Sequence, residues 1–429
     1  MRYEQIDNSL FKDNRAKLAE HLKPNSIVVI HSHDIYPVNA DGEVPFQQHA
    51  DLLYLTGADQ EESVLILYPD AANKKNREIL FVRETNDHIA IWEGEKLTKE
   101  SATEVSGIEQ IQWSSQFETV FRQLAVEADN IYLSTNDHPR LNNPVETKND
   151  RFIKQCKKSL PLHNFERLSP IMHLLRSHKH PVEINIMQKA CDITEKGFRR
   201  VLGFIKPGVG EWEIEAELIH EFTKNKSKGF AYTPIIASGK NACVLHYIDN
   251  SCEVKDGEII LMDTAAEYAN WNSDMTRSVP ANGKFTDRQR AVYDAVLRTL
   301  RYANTILRPG LLPNDYQAKV REFMETELIQ LGLIDAEEAK KQDTSKPLVS
   351  KYFMHGTSHH IGIAVHDVSV QNTPFAVGQV LTIEPGIYIR DEDLGIRLEN
   401  CVVIGENENI DLMESIPIEA DEIEALMAK

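Results

Sequence analysis

Four carboxylates and one histidine in the C-terminal half of the chain form a ligand set suited to two divalent metal ions: Asp263, Asp274, His359, Glu384 and Glu399. The histidine belongs to the run His355-Gly356-Thr357-Ser358-His359-His360-Ile361-Gly362-Ile363-Ala364-Val365-His366-Asp367. In it, His355, His359 and His366 follow one another at spacings of four and seven. Gly356 and Gly362 allow backbone or substrate to approach closely. The carboxylates fall at the ends of strand-like runs. Asp263 and Asp274, eleven residues apart, are expected to face one another across a β-ribbon that turns through residues 264–273. Glu384 and Glu399, fifteen apart, frame a second ribbon around the turn-rich segment 388–395.

Packed together without cations, the four acids would repel and some would hold protons. A metal pair removes that conflict and links binding to folding. Oxygen ligands with one imidazole favour manganese, cobalt, iron(II) or zinc, whereas calcium rarely takes histidine. Two ions sharing carboxylates lower the pKa of a water, and the hydroxide attacks a carbonyl that a metal polarises. His246, His355 and His366 are expected around this centre, binding substrate and stabilising a tetrahedral oxyanion.

The elements that must position these residues read as two domains, 1–170 and 171–429. In the first, residues 63–68, 78–82 and 131–134 read as strands and 8–22 and 116–127 as helices, an α/β pattern. A basic segment, 148–158, leads toward the second domain. That domain repeats itself. A helix over 182–204 stops at Lys206-Pro207-Gly208 and a second covers 212–223; a helix over 286–307 stops at Arg308-Pro309-Gly310 and another covers 314–331. Thr286 and Gln289 stand in capping-box register. The runs 257–263 and 378–384 each place an acid six residues after a glycine. His246 precedes Asp263 by seventeen residues and His366 precedes Glu384 by eighteen. A duplicated half-site would set matched groups on opposite sides of one cleft.

Bulk properties narrow the function. With 41% hydrophobic and 26% charged residues, the chain reads as an ordinary globular protein. Its net charge of -19 argues against nucleic acid or an anionic membrane as partner. No apolar run nears the roughly 18–20 residues that span a bilayer. The N-terminal segment lacks the apolar stretch of a signal peptide. Five scattered cysteines without a CxxC pair suggest reduced thiols and a cytoplasmic location.

The His355–Asp367 run, Val244-Leu245-His246-Tyr247, Met262-Asp263, Ser273-Asp274-Met275-Thr276-Arg277, Thr382-Ile383-Glu384-Pro385-Gly386 and Gly395-Ile396-Arg397-Leu398-Glu399 resemble the pita-bread metallopeptidases. Within them, the resemblance is to the Xaa-Pro aminopeptidase (aminopeptidase P) group. Asp51-Leu52-Leu53-Tyr54-Leu55-Thr56-Gly57 and Ile91-Trp92-Glu93-Gly94 are similar to that group's N-terminal domain. The resemblance implies an α/β N-terminal domain of the creatinase/aminopeptidase P type and an α+β pita-bread catalytic domain with pseudo-two-fold duplication. It implies release of the first residue from peptides with proline second; the alternative is a prolidase, which cuts Xaa-Pro dipeptides. By the same resemblance Asp263 chelates one metal, Asp274 and Glu399 bridge both, and His359 and Glu384 complete the other. Glu384 relays a proton, His246 and His366 contact the substrate carbonyl, and His355 and Arg397 support the bridging ligands. Tyr232 lies near the cleft. Manganese is the implied metal, and a homodimer or homotetramer the implied assembly, with Trp92 reaching a neighbouring subunit. Thr264-Ala265-Ala266, Thr357 and His360 depart from the usual residues and bear on substrate preference more than on catalysis. Proline suits such an enzyme, because its amide has no N–H and its ring fixes φ, so that a cleft shaped to the ring recognises it.

Overall fold

The computed structural model describes residues 2–135, 137, 144–343 and 345–428. The chain divides into two compact units, Gln5–Arg176 and Ser177–Lys429, the second taking in the first four residues.

The first unit is built on a six-stranded mixed sheet. Its spatial order is Ile111–Trp113, Glu78–Val82, Val64–Leu67, Ser26–His31, Asn130–Leu133, Asn164–Arg167. Ser26–His31 runs antiparallel to Val64–Leu67 and parallel to Asn130–Leu133. All six of its residues are buried, as befits a central strand covered on both faces. This strand is absent from the sequence-based expectation, although Ile27-Val28-Val29-Ile30 is the same kind of continuous apolar run as 63–68. The basic segment read as a connector is instead the helix Lys148–Ser159. Thr147 Oγ1 accepts from Asp150 N at 3.2 Å and caps it. Phe152 and Cys156, one turn apart, face the core beside Phe117 and Phe121 while the lysines face water.

The second unit has the duplicated plan. Pro181–Leu202 and Glu211–Lys224 pack as one helix pair, Asp287–Ile306 and Pro313–Gln330 as the other. Pro181 at the first helical turn and the His180–Glu183 box start the first helix. Thr286 and Gln289 cap the third reciprocally, as their spacing predicts. Each helix pair is followed by a three-stranded sheet. One has the order Thr276–Pro280, Ile259–Asp263, Ile235–Ser238; the other Val380–Ile383, Asn400–Val403, Ile410–Asp411. Ile259, Ile260, Leu261 and Met262 are at most 2% exposed. Each such side chain contributes about 1.5–3 kcal/mol by leaving water, which fixes the strand that ends in Asp263.

Candidate metal centre

Both ribbons break where the carboxylates lie. In the first, Ile259–Asp263 pairs with Thr276–Pro280, and Asp263 stands opposite Thr276. The ladder then stops and resumes as Glu267–Tyr268 against Trp271–Asn272. Asp274 is therefore not directly across from Asp263, as the sequence suggested. It precedes Thr276 by two residues, a diagonal position on a two-residue repeat. In the second, Val380–Ile383 pairs with Asn400–Val403, and Gly386–Ile389 pairs with Leu394–Arg397. Glu384-Pro385 and Leu398-Glu399 form the break between them. Proline has no N–H to donate, so the ladder is interrupted there. The segment read as turn-rich, 388–395, holds the hairpin's turn, Arg390–Asp393, flanked by the ends of its two strands.

Backbone bonds set the two breaks side by side. Glu399 N donates to Thr276 O at 3.0 Å, and Arg397 N donates to Ser278 Oγ at 3.2 Å. The histidine run is laced alongside: Glu384 N donates to Thr357 O at 2.8 Å and Thr382 N to His359 O at 3.0 Å. A buried ion pair, Lys179 Nζ to Asp367 Oδ2 at 2.9 Å, supports the far end of that run. Gly362 leaves room for it, since a Cβ there would sit 2.4 Å from Asp367 Oδ2 and displace the pair. Gly395 is required for a similar reason. Its Cβ would lie 2.1 Å from Ala242 O, where the hairpin meets the short helix Gly239–Cys243.

The result is a convergence of the five expected ligands. Ligand atoms of Asp274, His359 and Glu399 lie within 4.8 Å of one another. His359 Nε2 is 3.4 Å from Asp274 Oδ2 and 3.7 Å from Glu384 Oε1. Asp263 is held on both oxygens: Tyr232 Oη donates to Oδ1 at 2.6 Å and Arg397 Nη2 to Oδ2 at 2.7 Å. Arg397 Nε donates to Thr276 Oγ1 at 3.1 Å, whose hydroxyl donates to Glu399 Oε2 at 2.7 Å. Arg397 Nη1 donates to Tyr388 Oη at 2.8 Å. His355 Nδ1 must donate to Gly356 O, 2.8 Å away, because a carbonyl only accepts. His355 Nε2 therefore accepts from Tyr388 Oη at 2.8 Å. One hydrogen-bonded chain thus runs from His355 through Tyr388 and Arg397 to Asp263 and Glu399. His246 and His366 are both exposed. The His366 ring lies 4.1 Å from that of His359, and His246 is near enough for its charge to disfavour protonation of His355.

The electrostatics explain what such a cluster requires. Burial raises the Glu384 carboxyl to about 7, and Asp274 and Asp263 add to the shift. Burial also raises Asp263 and, with the charges of Asp274, Glu384 and Asp263, lifts Glu399 well above the usual range. His359 Nδ1 donates to His360 O at 3.0 Å, so the Nε2 lone pair faces two carboxylates. Either a proton or a cation must sit between them. Burial opposes the proton, but Asp274 and Glu384 outweigh it and raise the imidazole to about 9. Oxygen donors from four acids and one correctly turned imidazole fit a pair of divalent ions better than they fit each other.

Tyr388 and Thr276 were not singled out as site residues from the sequence. Tyr388 was assigned to a turn. Thr276 lay inside a quoted motif, but its hydroxyl gains meaning only from the strand register that sets it between Arg397 and Glu399.

Paired broken ribbons framing an acid-rich cleft, on a duplicated helix–sheet plan, define a metal-dependent hydrolase of the pita-bread class. Residues 185–406 match metallopeptidase family M24, and residues 11–132 match the aminopeptidase P N-terminal domain. The chain belongs to metallopeptidase family M24 and is a metalloexopeptidase. It is 33% identical to the Xaa-Pro aminopeptidase of Escherichia coli over 99% of this chain and 98% of that one. The Haemophilus influenzae Xaa-Pro aminopeptidase is 29% identical, over 97% and 96%. Pseudomonas aeruginosa aminopeptidase PepP superposes with a TM-score of 0.90 at 29% identity, covering 99% of this chain and 98% of that one. A zinc-substituted Escherichia coli aminopeptidase P in complex with product gives 0.88 at 31% identity, with 99% of each covered.

Proposed function

We propose that the chain is an aminopeptidase that releases the N-terminal residue of peptides with proline at the second position. The observation that carries this is the gathering of Asp274, His359 and Glu399, whose ligand atoms lie within 4.8 Å of one another, with Glu384 and Asp263 beside them. Asp263 would hold one ion, Asp274 and Glu399 would be shared, and His359 and Glu384 would hold the other. Divalent ions held by these residues would supply an acidified water and polarise the scissile carbonyl. Glu384 accepts the proton released during attack and passes it to the leaving proline nitrogen. His246 and His366, exposed at the cleft, donate to the carbonyl oxygen as it gains charge. Arg397, tied to both Asp263 and Tyr388, keeps the metal-facing acids oriented and anionic. Tyr232 fixes Asp263 from the other side. Manganese is the proposed ion, on the chemistry of the donor set and the family resemblance.

The working assembly is a homodimer or homotetramer. Ile91 and Trp92, 78% and 77% exposed, give an apolar patch suited to a neighbouring copy. Light scattering that shows a fully active monomer would contradict this. Five free cysteines, four of them buried, suit a reducing compartment, and the cytoplasm is the proposed location. Among the described residues no helix is long and apolar enough to cross a membrane.

The relatives above bear aminopeptidase names, and a prolidase would differ in substrate length. After chelation and manganese restoration, an Xaa-Pro-Yaa tripeptide is expected to lose its first residue at least as fast as an Xaa-Pro dipeptide is cut. Cleavage of the dipeptide with the tripeptide left intact would show a prolidase instead.

A further inference from the structure

His246 is exposed, and among the described residues its side chain has no hydrogen-bond partner. Its position depends on the loop 244–251, and one buried carboxylate bonds to that loop's middle and to both of its flanks. Glu211, fully buried at the start of the helix Glu211–Lys224, spends all its bonds on this segment. Its Oε1 accepts from Ser238 N at 2.8 Å and Ser238 Oγ at 2.7 Å. Its Oε2 accepts from Tyr247 Oη at 2.8 Å and Cys252 N at 2.9 Å. Ser238 is where the chain leaves the strand Ile235–Ser238, Tyr247 follows His246, and Cys252 closes the loop. A single carboxylate therefore ties the entry, the middle and the exit of the segment that carries His246. Acids in a first helical turn ordinarily face their own helix's free N–H groups. The four bonds of Glu211 go elsewhere, which sets it apart from a helix-end charge. Asn250 also ties the exit to the entry strand, with Oδ1 accepting from Ile236 N at 2.9 Å and Nδ2 donating to Pro234 O at 3.0 Å, but it does not reach Tyr247.

We infer that Glu211 is a positioning residue for the reaction, acting through Tyr247 on the placement of His246 against the substrate carbonyl. The inference rests on the proposed role of His246. Glu211 itself touches neither substrate nor metal. Replacing it by glutamine turns an N–H₂ group toward Ser238 or toward Tyr247 and Cys252. A backbone N–H cannot reverse its polarity, so at least one of the three ties is lost. Displacing a reacting group by about 1 Å costs up to about 100-fold in rate.

The test is a double-mutant cycle with Glu211→Gln, Tyr247→Phe and His246→Ala, with kcat, KM and metal content measured on the manganese-loaded enzyme. Glu211→Gln is expected to lower kcat by about 10- to 100-fold, with metal content unchanged and KM little altered. Tyr247→Phe, which removes one hydroxyl from a half-buried ring and folds in any case, should lower kcat less. Both effects should vanish in the His246→Ala background. The inference is overturned if either change lowers kcat by the same factor with His246 absent, or if neither lowers it with His246 present. A fully active His246→Ala enzyme would instead overturn the role of His246 itself, which separates the two failures. If Glu211→Gln does not fold, Tyr247→Phe decides.

Discussion

Glu384→Gln is expected to lower kcat by at least about 1,000-fold, with far less effect on KM. Glutamine keeps the volume and one oxygen, but it loses the charge and cannot take a proton. Loss of a positioned general base costs about 10²–10⁴ in rate, and a weakened metal ligand adds to that. The position supports both roles. Glu384 Oε1 lies 3.7 Å from His359 Nε2, and the side chain is still 21% exposed, so it faces both the ligand cluster and the cleft. Burial also raises its carboxyl to about 7, close to where a proton relay works best. Steady-state kinetics at saturating manganese, with metal content measured alongside, would check this. A kcat within a few-fold of the unaltered enzyme would remove Glu384 from the reaction.

Metal removal should have the second large effect, on stability as well as activity. Divalent ions bind the folded cluster, so loading at 100 times the dissociation constant adds about 2.7 kcal/mol per site. In the stripped protein the same acids work against folding. The carboxyl of Glu384 has a folded pKa of about 7 against an ordinary 4.5. A raised carboxyl contributes stability that is present below its unfolded pKa and lost as pH climbs through the folded value. His359 moves the same way, from 6.5 to about 9, and its contribution is lost as pH rises through that range. The stripped enzyme should therefore melt progressively lower from about pH 4.5 to pH 9, and manganese should oppose the trend. Glu399→Gln exposes the change of sign. Glu399 is 2% exposed and its ionisation is opposed by burial and three neighbouring acids. Its loss should lower the melting temperature of the loaded protein but leave the stripped protein equal or more stable. Calorimetry of both proteins with and without metal would show this. A variant equally destabilised in both states would mean that Glu399 is structural and not a shared ligand.

The five residues expected as ligands could be named from the sequence because the motifs that carry them are short, contiguous and specific. The helix pairs were legible from caps and Pro-Gly stops such as Thr286 with Gln289 and Arg308-Pro309-Gly310. What escaped was whatever depends on neighbours remote in the chain. The offset of Asp274 from Asp263 follows from a ladder that stops after Asp263 and restarts at Glu267, and residue types alone do not specify that break. Tyr388 and Thr276 join the cluster's hydrogen bonds only because the two ribbons lie side by side. Glu211 reads as one more acid on an acidic helix until Ser238, Tyr247 and Cys252 fold around it. Ser26–His31 is a different case, since Ile27-Val28-Val29-Ile30 carries the same continuous apolar signal as the runs at 63–68 and 78–82.

The most direct test is anomalous diffraction from crystals soaked in manganese. It should show two peaks, both within bonding distance of Asp274 and Glu399, one also bound by Asp263 and the other by His359 and Glu384. Anomalous density that is absent from this cleft, or a lone peak that leaves Asp263 or His359 uncoordinated, would contradict the paired-ion centre.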